Sequence, residues 1–156
     1  MVLYNTLEEA LKAVKKYGDD LRYASKELRN NPEIVMEAVK NDGLALVDAS
    51  EELINNPEIV MEAVKNNGRV LNYASEELRN NPEIVMEAVK NDGSALEYAS
   101  EELRNNPEFV KKVERAIKEE ELKKLQQKDE DLTEIISKVK QLEQIQENGN
   151  KTVDEQ

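Results

Sequence analysis

Three kinds of residue in this chain could do chemistry. Paired carboxylates recur at Glu51-Glu52, Glu76-Glu77 and Glu101-Glu102, serines recur at Ser25, Ser50, Ser75 and Ser100, and Asn41-Asp42-Gly43 resembles the glycine turn of a calcium loop. Each fails on its surroundings. Adjacent helical residues point about 100° apart, and a pair copied from unit to unit reads as a solvated face, not as one acid–base site. The serines have no histidine to activate them, because the sequence contains none, and the commonest transition-metal ligand is missing for the same reason. A calcium loop with its turn at Gly43 would need ligands at Ala38, Lys40 and Ala49, and none of these can serve. Without cysteine there is no thiolate chemistry and no disulfide. No glycine-rich phosphate loop is present. The expectation is therefore no catalytic residue, no cofactor, no metal site and no enzyme.

The elements that would position any site are set by a period. Pro32, Pro57, Pro82 and Pro107 stand 25 residues apart, as do Gly18, Gly43, Gly68 and Gly93, which is the signature of stacked repeats. Asn31 suits an N-cap, Pro32 the first helical position and Glu33 the positive end of the helix dipole. Ile34, Val35, Ala38 and Val39 then share one apolar face, so a helix is predicted over about 32–42, closed by a left-handed Gly43. A second helix is predicted over about 44–54, with Ala45, Leu46, Ala49 and Leu53 on its inner stripe. Helices this short are marginal alone and must be held by their neighbours. The fold class is all-α, a short α-solenoid of tandem 25-residue helical hairpins.

The ends differ from the middle. A capping box, Thr6-Leu-Glu-Glu9, opens the first unit, and Lys118 stands where the last unit would need its glycine. A repeat array is thus expected over 1–117, a helical extension over 118–147 and a disordered polar tail over 148–156. Within the extension a turn at Lys128–Asp131 and a second capping box, Asp131-Leu-Thr-Glu134, are expected to start a new helix. Its stripe of Leu132, Ile135, Ile136, Val139, Leu142 and Ile145 needs a cover. Folding back on the array or pairing with a second copy would supply one.

The formal charge of −12, from 34 acids against 22 bases, repels phosphate backbones and anionic membranes. No nucleic-acid or membrane partner is expected, although an acidic mimic of nucleic acid is an alternative that such a charge permits. The N-terminus shows no basic region followed by an apolar stretch, so a cytoplasmic location is expected.

Comparing the repeats with one another locates a candidate surface. The first helix hardly varies, whereas positions 44, 47 and 54 read Leu/Arg/Ser, Val/Asn/Glu and Ile/Arg/Arg in successive units. On a helix these three share the outward face, which makes Leu44, Val47 and Ile54 an apolar patch. Tyr73 and Tyr98, in phase with Tyr23, add an interrupted aromatic row. With Leu132, Ile135, Ile136, Val139 and Leu142 they form the candidate interaction surface.

The phrases Leu21-Arg-Tyr23-Ala-Ser-Lys-Glu-Leu-Arg29, Leu71-Asn-Tyr73-Ala-Ser-Glu-Glu-Leu-Arg79 and Ala95-Leu-Glu-Tyr98-Ala-Ser-Glu-Glu-Leu-Arg104 carry a resemblance. Together with the downstream Asn-Pro-Glu, they resemble the tandem repeat family called domain of unknown function 4116 over about residues 7–117. The second unit departs from it at Asp48 and Ile54. The resemblance implies tandem helical repeats and no activity. The function expected is that of a protein–protein interaction scaffold, the alternatives being the acidic mimic and a structural protein that oligomerises through its C-terminal helix.

Overall fold

An asparagine followed by proline starts each repeat after the first in the computed structural model, which describes residues 3–153 and the side chains as far as residue 141. Asn31 Oδ1 accepts the amides of Glu33 and Ile34 at 3.0 and 3.3 Å, and Asn56, Asn81 and Asn106 repeat the arrangement. Such a cap is worth about 1 kcal/mol each time. The helices that follow are α3 (Pro32–Asn41), α5 (Pro57–Asn66), α7 (Pro82–Asn91) and the start of α9 (Pro107–Val153). Helix α1 (Leu7–Lys16) opens the array from the expected capping box, with Glu9 and Thr6 bonded to each other's backbone.

After each of the first four long helices the chain forms a 3₁₀ segment, at Gly18–Tyr23, Gly43–Asp48, Gly68–Tyr73 and Gly93–Tyr98. One helical turn then leads to the next proline: α2 (Lys26–Arg29), α4 (Glu51–Ile54), α6 (Glu76–Arg79) and α8 (Glu101–Arg104). The single second helix expected over 44–54 is thus two pieces. Ala49 and Ser50 are extended between them, and the Ser50 side chain accepts the amide of Leu53 to begin α4. The repeated serines are N-caps.

Helices α1, α3, α5 and α7 pack in succession to make one layer, and the 3₁₀ segments pack in succession to make the other. Each inner helix meets two helices and two 3₁₀ segments, which is why Ile34, Val35, Ala38 and Val39 are all buried. Ser50 N donates to Arg29 O at 3.0 Å and Ser100 N to Arg79 O at 2.8 Å, tying one repeat to the next. In the first unit Ser25 N donates to Tyr4 O at 3.0 Å, so the segment before α1 stands in for a preceding repeat.

The glycines do not do what the sequence suggests. None has a positive φ; Asp42, Asn67 and Asp92 end the helices in extended conformation, and the glycine begins the 3₁₀ segment. Glycine is required by proximity. A Cβ on Gly18 would lie 2.5 Å from the Ala38 carbonyl oxygen of the next helix, and one on Gly43 would lie 2.6 Å from that of Ala63. At Gly68 the approach to Ala88 is closer still. An asparagine locks the same contact. Gly43 N donates to Asn66 Oδ1 at 2.8 Å while Asn66 Nδ2 donates to Lys40 O at 3.1 Å, and Asn41 and Asn91 do likewise. One carboxamide therefore satisfies a carbonyl left at the end of one helix and the amide that opens the 3₁₀ segment after it.

The fourth junction lacks this lock. Ala116 stands in the asparagine phase, Gly93 is exposed, and a Cβ there would meet the Ile117 side chain, nearest at Cδ1 at an ordinary 3.6 Å.

The chain divides into two compact units, Met1–Ile117 and Lys118–Gln156. The second consists of the continuation of α9 to Val153, which corrects the expectation of a turn and a new helix start. Lys128–Asp131 forms no turn; of the expected tail over 148–156, residues 154–156 lie outside the described residues. Asp131 is no N-cap, because its carboxylate accepts from Gln127 Nε2 at 3.1 Å within the helix. A capping pattern acts only where the helix is already interrupted, and no proline or glycine occurs from 108 to 148. Among the described residues no helix is long and apolar enough to cross a membrane.

The contrast between glycines is testable. Gly68→Ala should destabilise by roughly 1–3 kcal/mol through overpacking against backbone. Gly93→Ala should be neutral or stabilising by up to about 1 kcal/mol, since φ is compatible and the unfolded chain loses freedom. Denaturant midpoints of the two variants decide it; equal losses would refute the close-approach account.

Candidate interaction surface

A 3₁₀ helix has three residues per turn, so side chains at i and i+3 eclipse. Residues 44 and 47 thus share a face for a different reason from the one expected, and each repeat presents a rung of two side chains. The rungs are Asp19 with Arg22, Leu44 with Val47, Arg69 with Asn72, and Ser94 with Glu97, all of them exposed. Leu44 and Val47 are 44% and 42% exposed, the one wholly apolar rung.

Ile54 does not join them. It is half-buried in α4 and packs against the core. Its phase is a packing phase: Arg29 and Arg79 are half-buried there, and Arg29 Nη1 donates to Asp48 O at 3.3 Å. The tyrosine row is uneven, with Tyr23 and Tyr73 exposed and Tyr98 half-buried against the core. On α9, Leu132, Ile135, Ile136 and Val139 are exposed on the second unit, and so are Leu122 and Leu125. The side chain of Leu142 lies outside the described residues.

Two rung arginines pair with carboxylates of the next repeat. Arg69 Nε meets Asp92 Oδ2 at 2.7 Å across one junction, and Arg22 Nε lies 3.9 Å from Asp48 Oδ2 across another. The hydroxyl of Ser94, the Arg69 guanidinium and the Ser94 amide hold the Asp92 carboxyl at about 2, well below its ordinary value. Asp48 moves the other way. Burial raises its carboxyl, with the guanidinium groups of Arg22 and Arg29 offsetting part of that. Nothing in this arrangement forms a nucleophile or an acid–base pair, and among the described residues no cluster of acidic side chains could hold a metal ion.

The sequence reading also missed a row of methionines. Met36, Met61 and Met86 recur at the repeat interval, half-buried against the core, and Met61 and Met86 line a shallow groove with Phe109. The interval itself was the signal that could have found it.

The opposed carboxylates predict an acid response. A depressed folded-state value means that Asp92 contributes stability above about pH 4, lost as pH falls toward about 2. Asp92→Asn keeps a side chain that caps as Asn67 does, so at neutral pH it should cost no more than about 1 kcal/mol, the scale of an exposed ion pair. Stability measured from pH 5 to 2 should then fall less steeply than in the parent. An identical slope would rule out the Asp92 contribution.

No match was found among curated proteins or among solved structures. Four overlapping segments, 7–54, 31–79, 56–104 and 81–119, match the family described as Domain of unknown function (DUF4116). Each full match spans two repeat units and steps by one, so the family's recurring element is a pair of neighbours. With these matches running from residue 7 to residue 119, the chain belongs to the DUF4116 family of tandem helical repeats.

Proposed function

We propose that the protein is a non-catalytic interaction scaffold that binds a protein partner through the exposed rungs of its 3₁₀ layer. One observation carries the reading: the rung residues, which differ between repeats, are all exposed and take no part in the core or in the glycine junctions. Rung positions take Asp, Leu, Arg or Ser and Arg, Val, Asn or Glu, while the glycine, alanine and asparagine of each inner junction are unchanged. Variable side chains on an invariant array are how repeat proteins present a recognition surface. The exposed Leu44–Val47 pair gives that surface its apolar centre, and Arg22, Tyr23, Arg69 and Tyr73 are exposed on the two neighbouring 3₁₀ segments. The acidic balance argues against nucleic acid and anionic membrane as partners, and cytoplasmic residence is part of the proposal.

Replacing the second rung by the third, Leu44→Arg with Val47→Asn, tests the reading. Both side chains are exposed, so stability should change by less than about 0.5 kcal/mol. Partner capture from the source cell, quantified by mass spectrometry, should drop at least about tenfold, the loss of some 1.4 kcal/mol of binding. Partners retained at full level by the double variant would sink the assignment of this face.

A further inference from the structure

We infer that the second unit pairs with a second copy of itself as an antiparallel coiled coil. Leu122, Leu125, Leu132, Ile136 and Val139 recur at alternating three- and four-residue steps, the pattern of a two-stranded seam, with Asp129 as its one polar member. Their exposures are 56, 64, 56, 54 and 47% on a helix that runs through them unbroken. With Ile135 beside the seam, two copies would cover on the order of 1,000 Å² in total, near the lower end for a specific complex.

Asp129 decides the direction. In a parallel pair it would face Asp129 of the second copy inside the seam, two like charges removed from water. Reversing one helix lets Leu122 face Val139, Leu125 face Ile136, and Asp129 face Leu132, so every layer holds an apolar residue and no two aspartates oppose. The same register sets Glu119 of each copy against Lys140 of the other, both exposed in the single chain. The parallel register forms no ion pair along its flanks, where Glu121 would meet Gln126, Lys128 would meet Thr133 and Ile135 would meet Lys140. This pairing uses none of the 3₁₀ rungs and stands or falls without them.

Sedimentation equilibrium of the full chain from about 5 to 500 μM should show a monomer–dimer equilibrium, since six layers make a short seam. Ile136→Asp should weaken it at least about tenfold and Asp129→Leu should tighten it by as much, while Ser137→Asp, off the seam, should leave it unchanged. The chain has no cysteine, so Glu120→Cys carries a single spin label. In the antiparallel pair the two labels lie about 30 Å apart along the axis, whereas in a parallel pair they would be level. A chain that stays monomeric at the highest concentration even with Asp129→Leu overturns the proposal. So does a dimer indifferent to Ile136→Asp, or a pair of labels found level.

Discussion

The approach of each inner 3₁₀ segment to the carbonyl of an alanine on the next long helix sets the spacing on which the rest of the array depends. At Gly18, Gly43 and Gly68 there is no room for a Cβ. The same closeness asks for alanine at 38, 63 and 88, all fully buried, because a larger side chain would push the helices apart. It also brings a helix-end carbonyl and the partly buried glycine amide within reach of one asparagine, which serves both. Glycine, alanine and asparagine are thus one constraint written at three positions. Substituting any of them alters the distance at which two repeats meet.

Where that constraint lapses, the array stops. The junction between the fourth repeat and α9 has Ala116 for asparagine and Lys118 in the glycine phase. Gly93 is exposed and Leu96 only half-buried, whereas Gly43 and Leu46 are buried. Helices α3, α5 and α7 each end in an extended residue followed by a glycine, α7 even though Gly93 has no asparagine lock, and α9 has no glycine in that phase. Having neither proline nor glycine ahead until Gly149, the helix continues. Its length follows from the missing glycine and proline.

Much of the array could be read from its residues. Asn31-Pro32-Glu33 announces a helix start by local chemistry alone, and α3 lies within a residue of the expected 32–42. Thr6 and Glu9 announce the first helix in the same way. The parts that misled were those whose meaning is tertiary. Ala45, Leu46, Ala49 and Leu53 fit the stripe of one helix, yet they are divided between a 3₁₀ segment and a single turn that the Ser50 cap separates. The serine was the visible signal, and the apolar spacing outweighed it wrongly. Gly43 was expected in a left-handed cap because sequence shows a glycine without showing what approaches it. Asp131 and Glu134 satisfied a capping pattern inside a run with nothing to break the helix. For the candidate surface the same limit applied: Ile54 shares variability with Leu44 and Val47, and only packing reveals that it points at the core.

The 3₁₀ layer makes this scaffold suited to changing what it presents. In an α-helix the outward positions drift around the axis, so each new contact alters which neighbours it touches. With three residues per turn, two side chains in each repeat stand in column, and the next repeat sets another such rung beside them. None of the eight rung positions, from Asp19 and Arg22 to Ser94 and Glu97, is buried. Their backbone amides are held by residues that are not themselves on the rungs, as Leu44 N is by Asp42 and Arg69 N by Asn67. A rung can therefore change from apolar to charged without loss of a cap, a core contact or the glycine junction. The stack fixes where recognition residues stand and leaves their chemistry free, which is the division of labour that a binding array requires.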